Sequence, residues 1–198
     1  MAKVHLRKDP LWGRPCLGYS VQGRFDDRSL ARLAAFQSEV LRGRSAGLHR
    51  TPAGAMHISV FSIVPVRWPD AGKDDLWTGL KAGVLEAIAS ADPAEGLAIR
   101  FEETRVTETA VILSTPEQPA PIRRLRDSLN ALVVAAGLPA QAFDRTHLTL
   151  ARPARDRLLD AASVAELERT RAKVEVRLHA MKLIRERVYP SLEIEVLS

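Results

Sequence analysis

The chain has 198 residues, 46% apolar and 27% charged, with 29 Lys and Arg against 24 Asp and Glu for a net charge of +5. This is enough to bury one sizeable core and short for two independent domains. No stretch reaches the roughly 18 to 20 continuous apolar residues of a membrane span, and residues 1–10 lack the apolar centre of a signal peptide, so the sequence reads as a soluble cytoplasmic protein with no membrane partner.

Periodicity sets out the elements in order. Residues 16–21 form a strand, and Asp26 or Asp27 caps a helix with Leu30, Leu33, Ala34, Val40 and Leu41 inward, ended by Gly43. A Gly-, Ser-, Arg- and Pro-rich loop over 43–54 precedes a strand over 56–64, closed by Pro65 and Pro69. Asp74 or Asp75 starts a helix to about residue 90, and strands over 97–102 and 105–114 follow. After Thr115-Pro116, an amphipathic helix over 119–136 ends at Gly137 and Pro139. A strand over 143–152, a charged helix from Pro153 to about 171, and an antiparallel pair over 173–185 and 188–197 complete the chain.

The order β-α-β-α-β-β, then α-β-α-β-β, is two rounds of a similar unit. It predicts an α+β protein with antiparallel sheets and helices packed outside. The Pro-flanked junction divides one bilobal domain, 1–198, into lobes of about 14–115 and 116–198, between which strands can exchange. Gly-x-Gly-x-x-Gly, Walker and Cys-x-x-Cys motifs are absent, which removes the nucleotide-cradle and zinc-cluster readings that depend on them. The single Cys16 has no thiol partner and sits in an apolar run, where it reads as a small buried hydrophobe. The excess of basic charge, most of it arginine, is dispersed and by itself says little about partners.

Two stretches carry chemistry. Met56-His57-Ile58-Ser59-Val60 and Thr146-His147-Leu148-Thr149-Leu150 each place a histidine and a hydroxyl two residues apart between apolar residues. On a strand the His and the hydroxyl share one face while the apolar residues enter the core. The motifs lie 90 positions apart, at equivalent places in the two rounds. A histidine pair flanking a substrate suits concerted acid–base chemistry, because imidazole titrates near neutrality. His49-Arg50-Thr51 has the same spacing but no apolar flanks and reads as a loop decoy; His179 reads as a surface strand position and His5 as part of a charged tail.

These paired motifs, the string His147-Leu148-Thr149-Leu150-Ala151-Arg152, the opening Arg14-Pro15-Cys16-Leu17-Gly18 and the ending Leu183-Ile184-Arg185-Glu186-Arg187-Val188-Tyr189 resemble the two-histidine (2H) phosphoesterase superfamily. The nearest-looking branch is that of RNA 2′,3′-cyclic phosphodiesterases and 2′-5′ RNA ligases. Ser59 stands where threonine is common, Thr146 replaces a frequent proline, and a glycine usual before the late tyrosine is missing near Val188.

The resemblance implies a bilobal, pseudo-twofold fold with two antiparallel sheets lining a central groove. It implies His57 and His147 as catalytic residues, with Ser59, Thr149 and Arg152 binding substrate. The implied activity is metal-independent opening of 2′,3′-cyclic phosphates on RNA ends or nucleotides, with 2′-5′ ligation as a companion activity; no cofactor and a monomeric state are expected. The alternatives are a phosphodiesterase for 2′-5′ oligonucleotides or ADP-ribose cyclic phosphate, and a non-catalytic module that binds RNA ends.

Overall fold

In the computed structural model, which describes residues 3–43, 46–91, 96–143, 145–169 and 173–198, strands and helices alternate along the chain. The order is β1 (Val4–Leu6), β2 (Pro15–Phe25), α1 (Asp27–Val40), β3 (Leu48–Arg50), a 3-10 turn (Ala53–Ala55), β4 (Ile58–Val64), α2 (Lys73–Ala91), β5 (Leu97–Phe101), β6 (Glu103–Val106) and β7 (Val111–Thr115). There follow α3 (Ala120–Ala135), β8 (Thr146–Pro153), β9 (Arg157–Leu159), α4 (Ala161–Arg169), β10 (Val174–Val188) and β11 (Glu193–Val196). The fold is α+β, and its strand pairings are antiparallel.

One sheet has the order β11-β10-β2-β4, with β5 also on β10; the second has β3-β8-β7-β6; β1 and β9 form a separate pair. Sheet membership therefore cuts across the chain: β10 and β11 join β2 and β4, while β3, β6 and β7 join β8. The helices carry the apolar stripes their sequences specify. Asp26 caps α1 by accepting from the Ser29 N–H at 2.7 Å, and Leu33 and Val40 on its inner face are fully buried. In α2, Trp77, Leu80, Val84 and Ile88 recur at helical spacing and are buried, as are Ile122, Leu125, Leu129 and Val133 of α3. Helix α2 packs on α3 and on β2 and β4, and α1 packs on β10. Each fully buried leucine in these faces contributes about 2 kcal/mol of burial free energy.

Several sequence expectations are corrected. The strand over 105–114 is two strands joined by a turn, in which the Thr107 hydroxyl accepts from the N–H groups of Thr109 and Ala110; a turn without Gly, Pro or Asn leaves no mark on the alternation. No helix begins at Pro153. Leu48 pairs with Pro153 and Ala154 donates to Gly47; the chain then bends at 154–155 and runs as β9 against β1 before Asp160 accepts from Ser163 at 2.7 Å and starts α4. Residue 171, the expected end of that helix, lies outside the described residues. The loop over 43–54 holds β3, with His49 opposite Arg152 and stacked on Trp12 at 4.8 Å; His5 belongs to β1, opposite Leu158. The final pair is antiparallel as expected, but β10 runs on to Val188 and pairs in turn with β5, β2 and β11. Among the described residues no helix is long and apolar enough to cross a membrane.

Candidate active site

The two histidine motifs come together where β4, at the edge of one sheet, packs on β8 of the other. Along β4, Ile58 and Val60 are fully buried while Ser59 between them is exposed. Along β8, Leu148 and Leu150 are buried while His147 and Thr149 are half-buried. This is the alternation that turns each His and hydroxyl to one face. His57, Ser59, His147, Thr149 and Arg152 all line one cavity of about 180 Å³.

Arg152 reaches that cavity through a register shift. It lies an odd number of residues beyond His147, so an unbroken strand would point it to the opposite face. In β8, Ala151 pairs with Val111 and Thr149 with Ile112, leaving Leu150 as an extra residue. This bulge reverses the alternation and returns Arg152 to the groove. The same device recurs in β4: Gln22 pairs with Ser59 but Val21 with Phe61, which brings Ser62 to the cavity as well.

Bulges and strand edges leave carbonyls outside the ladders, and buried polar side chains satisfy them. Arg126 of α3, 2% exposed, donates through Nε to Val60 O at 2.9 Å, through Nη2 to Ser59 O at 3.0 Å and through Nη1 to Arg145 O at 3.2 Å. It thereby ties the first motif to the lead-in of the second, with its guanidinium 4.4 Å above the Phe143 ring. Gln37 of α1 similarly bonds Thr51 O at 2.8 Å and Leu150 O at 2.7 Å.

The electrostatics differ between the two sides. His57 Nδ1 donates to Ala55 O at 2.8 Å, so the proton resides on Nδ1 and Nε2, 3.3 Å from Ser59 Oγ, is the accepting nitrogen. Burial pushes the His57 pKa from 6.5 down to about 4, opposed by the Ala55 carbonyl and assisted by the charges of Arg24, Arg152 and His147. On the other side, Arg152 Nη1 donates to Asp9 Oδ2 at 3.0 Å, and its guanidinium lies 5.3 Å from the Tyr189 ring centroid. Asp9 is 3% exposed and also holds Arg67 at 3.6 Å and the Leu11 N–H at 3.1 Å. Arg152 and Thr51 line the cavity, and their Nε and Oγ1 atoms are buried without a hydrogen-bond partner. Cys16 is half-buried; burial, with Glu186 nearby, pushes its thiol up to about 11, far from nucleophilic at neutral pH.

Sequence reasoning missed Arg24, Gln22, Ser20, Glu186, Tyr189 and Asp9. On β2, Ser20 and Gln22 line the cavity at alternate positions, a pattern visible in the sequence as Ser-Val-Gln-Gly-Arg. Glu186, also in the lining, has its pKa raised by burial. Nothing local marks Asp9, because its partners are remote in sequence. Among the described residues no group of three His, Cys, Asp or Glu side chains is placed to hold a metal ion.

Neither a family model nor a curated protein matches the sequence. Solved structures do match. Escherichia coli LigT in its apo form is 11% identical, with a TM-score of 0.64 over 92% of this chain and 95% of that one. A structure described as a phosphoesterase is 11% identical, with a TM-score of 0.64 over 92% and 96%. A protein of Thermus thermophilus is 17% identical, with a TM-score of 0.60 over 91% and 95%. LigT has also been solved with phosphate and with 3′-AMP. The chain shares the fold of LigT and of this phosphoesterase over nearly its whole length.

Proposed function

We propose that this protein is a phosphodiesterase that opens 2′,3′-cyclic phosphates, on RNA ends or nucleotides, with two histidines and neither metal nor cofactor. The observation that carries the reading is the meeting of both His-x-hydroxyl motifs, with Arg152 beside them, in one cavity. Two imidazoles, two hydroxyls and a guanidinium around one cavity form a donor set that suits phosphate oxygens. The binding of phosphate and 3′-AMP by LigT, which has the same fold, supports a nucleotide-type substrate.

His57 starts as the base. Its Nε2 lone pair is free of a proton at neutral pH, and it takes a proton from water as the water oxygen bonds to phosphorus. The bond from phosphorus to one ribose oxygen breaks, and His147, entering protonated, donates its proton to that oxygen. Ser59 and Thr149 hydrogen-bond the non-bridging oxygens as charge builds on them, and Arg152, oriented by Asp9, donates a further N–H to them. The reverse sequence of proton transfers would serve ligation.

The test is incubation of the purified protein with nucleoside 2′,3′-cyclic monophosphates in EDTA, with the product identified by chromatography. A 2′- or 3′-monophosphate is expected, lost in His57→Ala and in His147→Ala. Inactivation by EDTA that added metal reverses would overturn the metal-independent reading. RNA ends bound without turnover would replace it with a binding module.

A further inference from the structure

The cations around the histidines are not equally compensated. Arg152 is neutralised by a buried carboxylate, Asp9, at 3.0 Å. Arg24 is not. Its half-buried guanidinium donates from Nη2 to Gly54 O at 2.6 Å and from Nη1 to Gln22 Oε1 at 3.3 Å, both neutral acceptors, and among the described residues it makes no ion pair. Burial lowers its pKa, the signature of a charge held away from water without a counter-ion.

Its position is fixed by register. Gly23 pairs with Ile58, so Arg24, the next residue on β2, lies beside His57, the residue before Ile58. Arg24 also shares a face of β2 with Gln22 and Ser20, which line the cavity, while Arg24 itself lies beyond that lining. Across the ladder on β10, Lys182 pairs with Gln22, and Arg24 faces the small Ala180. Paired residues of an antiparallel ladder share a face, so half-buried Lys182 stands diagonal to Arg24 and within reach of it for long side chains. Lys182 likewise makes no ion pair among the described residues. Two neighbouring cations on one sheet face repel each other unless an anion lies between them.

From this arrangement we infer a second anion subsite, built by Arg24 and Lys182 beside His57, that takes a further phosphoryl group of the same substrate. The inference rests on the phosphodiesterase reading only for the identity of the first phosphate. It narrows the substrate class to molecules with two phosphate groups: a nucleotide phosphorylated at a second position, or the penultimate phosphodiester of an RNA end.

Calorimetric titration tests the subsite without turnover. The probes are adenosine 3′-monophosphate, adenosine 3′,5′-bisphosphate and an adenylyl dinucleotide with a terminal 3′-phosphate. Wild type should bind at least one of the two longer probes about tenfold more tightly than the monophosphate, a gain typical of one charge-assisted contact. Arg24→Gln should reduce that ratio to about threefold or less, Arg24→Lys should retain most of it, and a control at the remote exposed Arg100, Arg100→Gln, should leave it intact. Equal wild-type affinity for all three probes overturns the subsite, whatever the variants do. So does an Arg24→Gln protein of native circular dichroism that keeps the full ratio. If Arg24→Gln does not fold, Lys182→Gln takes its place and must lower the ratio. Turnover of a cyclic monophosphate in EDTA is scored separately. Preference without turnover keeps the subsite and sinks the phosphodiesterase reading; turnover without preference does the reverse.

Discussion

The His57 and His147 sides of the groove are spelled almost alike and built differently. His57 is fixed by a main-chain carbonyl two residues away, loses its proton readily through burial, and sits beside an uncompensated arginine. His147 shares its side with Arg152, whose charge is balanced by a carboxylate from the N-terminal segment. The motif therefore supplies the same groups to both sides, while the surroundings differ: one histidine is held neutral by burial, and the other shares its side with a cation fixed by a carboxylate.

The comparison breaks first at the histidines. If the two sides hold complementary halves of one proton-transfer chain, His57→Ala and His147→Ala should each lower kcat by about 10²- to 10⁴-fold. A single variant close to wild type in single-turnover assays would show that only one side does chemistry. The double variant should be little worse than either single, because residues acting as a unit are non-additive.

Arg126 joins the sides and tests whether they depend on a common frame. Replacing it by Met leaves three carbonyls, those of Ser59, Val60 and Arg145, without this donor. Unmet buried acceptors cost about 1 to 3 kcal/mol each, partly relieved by water, so about 3 kcal/mol of stability should be lost and Tm should fall by roughly 6 to 12 °C. An unchanged denaturation midpoint would mean that the seam is held by apolar packing alone.

Asp9 sharpens the contrast on the His147 side. Asp9→Asn keeps the shape but removes the charge that orients Arg152, Arg67 and the Leu11 N–H around one buried group. A reduction of kcat/KM of about tenfold is expected, carried mainly by KM because the arginine remains but is less well positioned. Asp9→Glu should recover part of it. A loss of stability with unaltered KM would make Asp9 a purely structural anchor.

Much of this site was legible in the sequence, and the physical reason is locality. His57 with Ser59 and His147 with Thr149 are set by strand alternation, which acts over two residues, and the inward faces of α1, α2 and α3 follow from helical spacing in the same way. What was illegible depends on register. Arg152 faces the groove only because Leu150 is an extra residue in β8, and alternation alone places it on the opposite face. Arg24 and Lys182 become neighbours only once β10 pairs with β2, 158 positions apart in sequence. The helix expected from Pro153 starts only at Ala161 because pairing with β3 and then with β1 overrides local helix preference.

The finest distinction between the sides is a pH effect. Because the His57 pKa lies near 4 and below its ordinary 6.5, the unfolded chain binds more protons than the folded one between those values. Stability contributed by the neutral ring is thus full above about pH 6.5 and lost as pH falls towards 4. If His57 is the base of the proposed reaction, the same shift keeps it competent in acid, and the acidic limb of kcat/KM should lie near pH 4 and not near 6.5. Burial is the largest cause and the Arg24 charge a smaller one, so Arg24→Gln should move the limb upward only by a fraction of a pH unit, measured over about pH 3.5 to 7. A wild-type limb near 6.5 would show that His57 is as well solvated as a free imidazole, and the division of labour between the two sides would then have to come from His147.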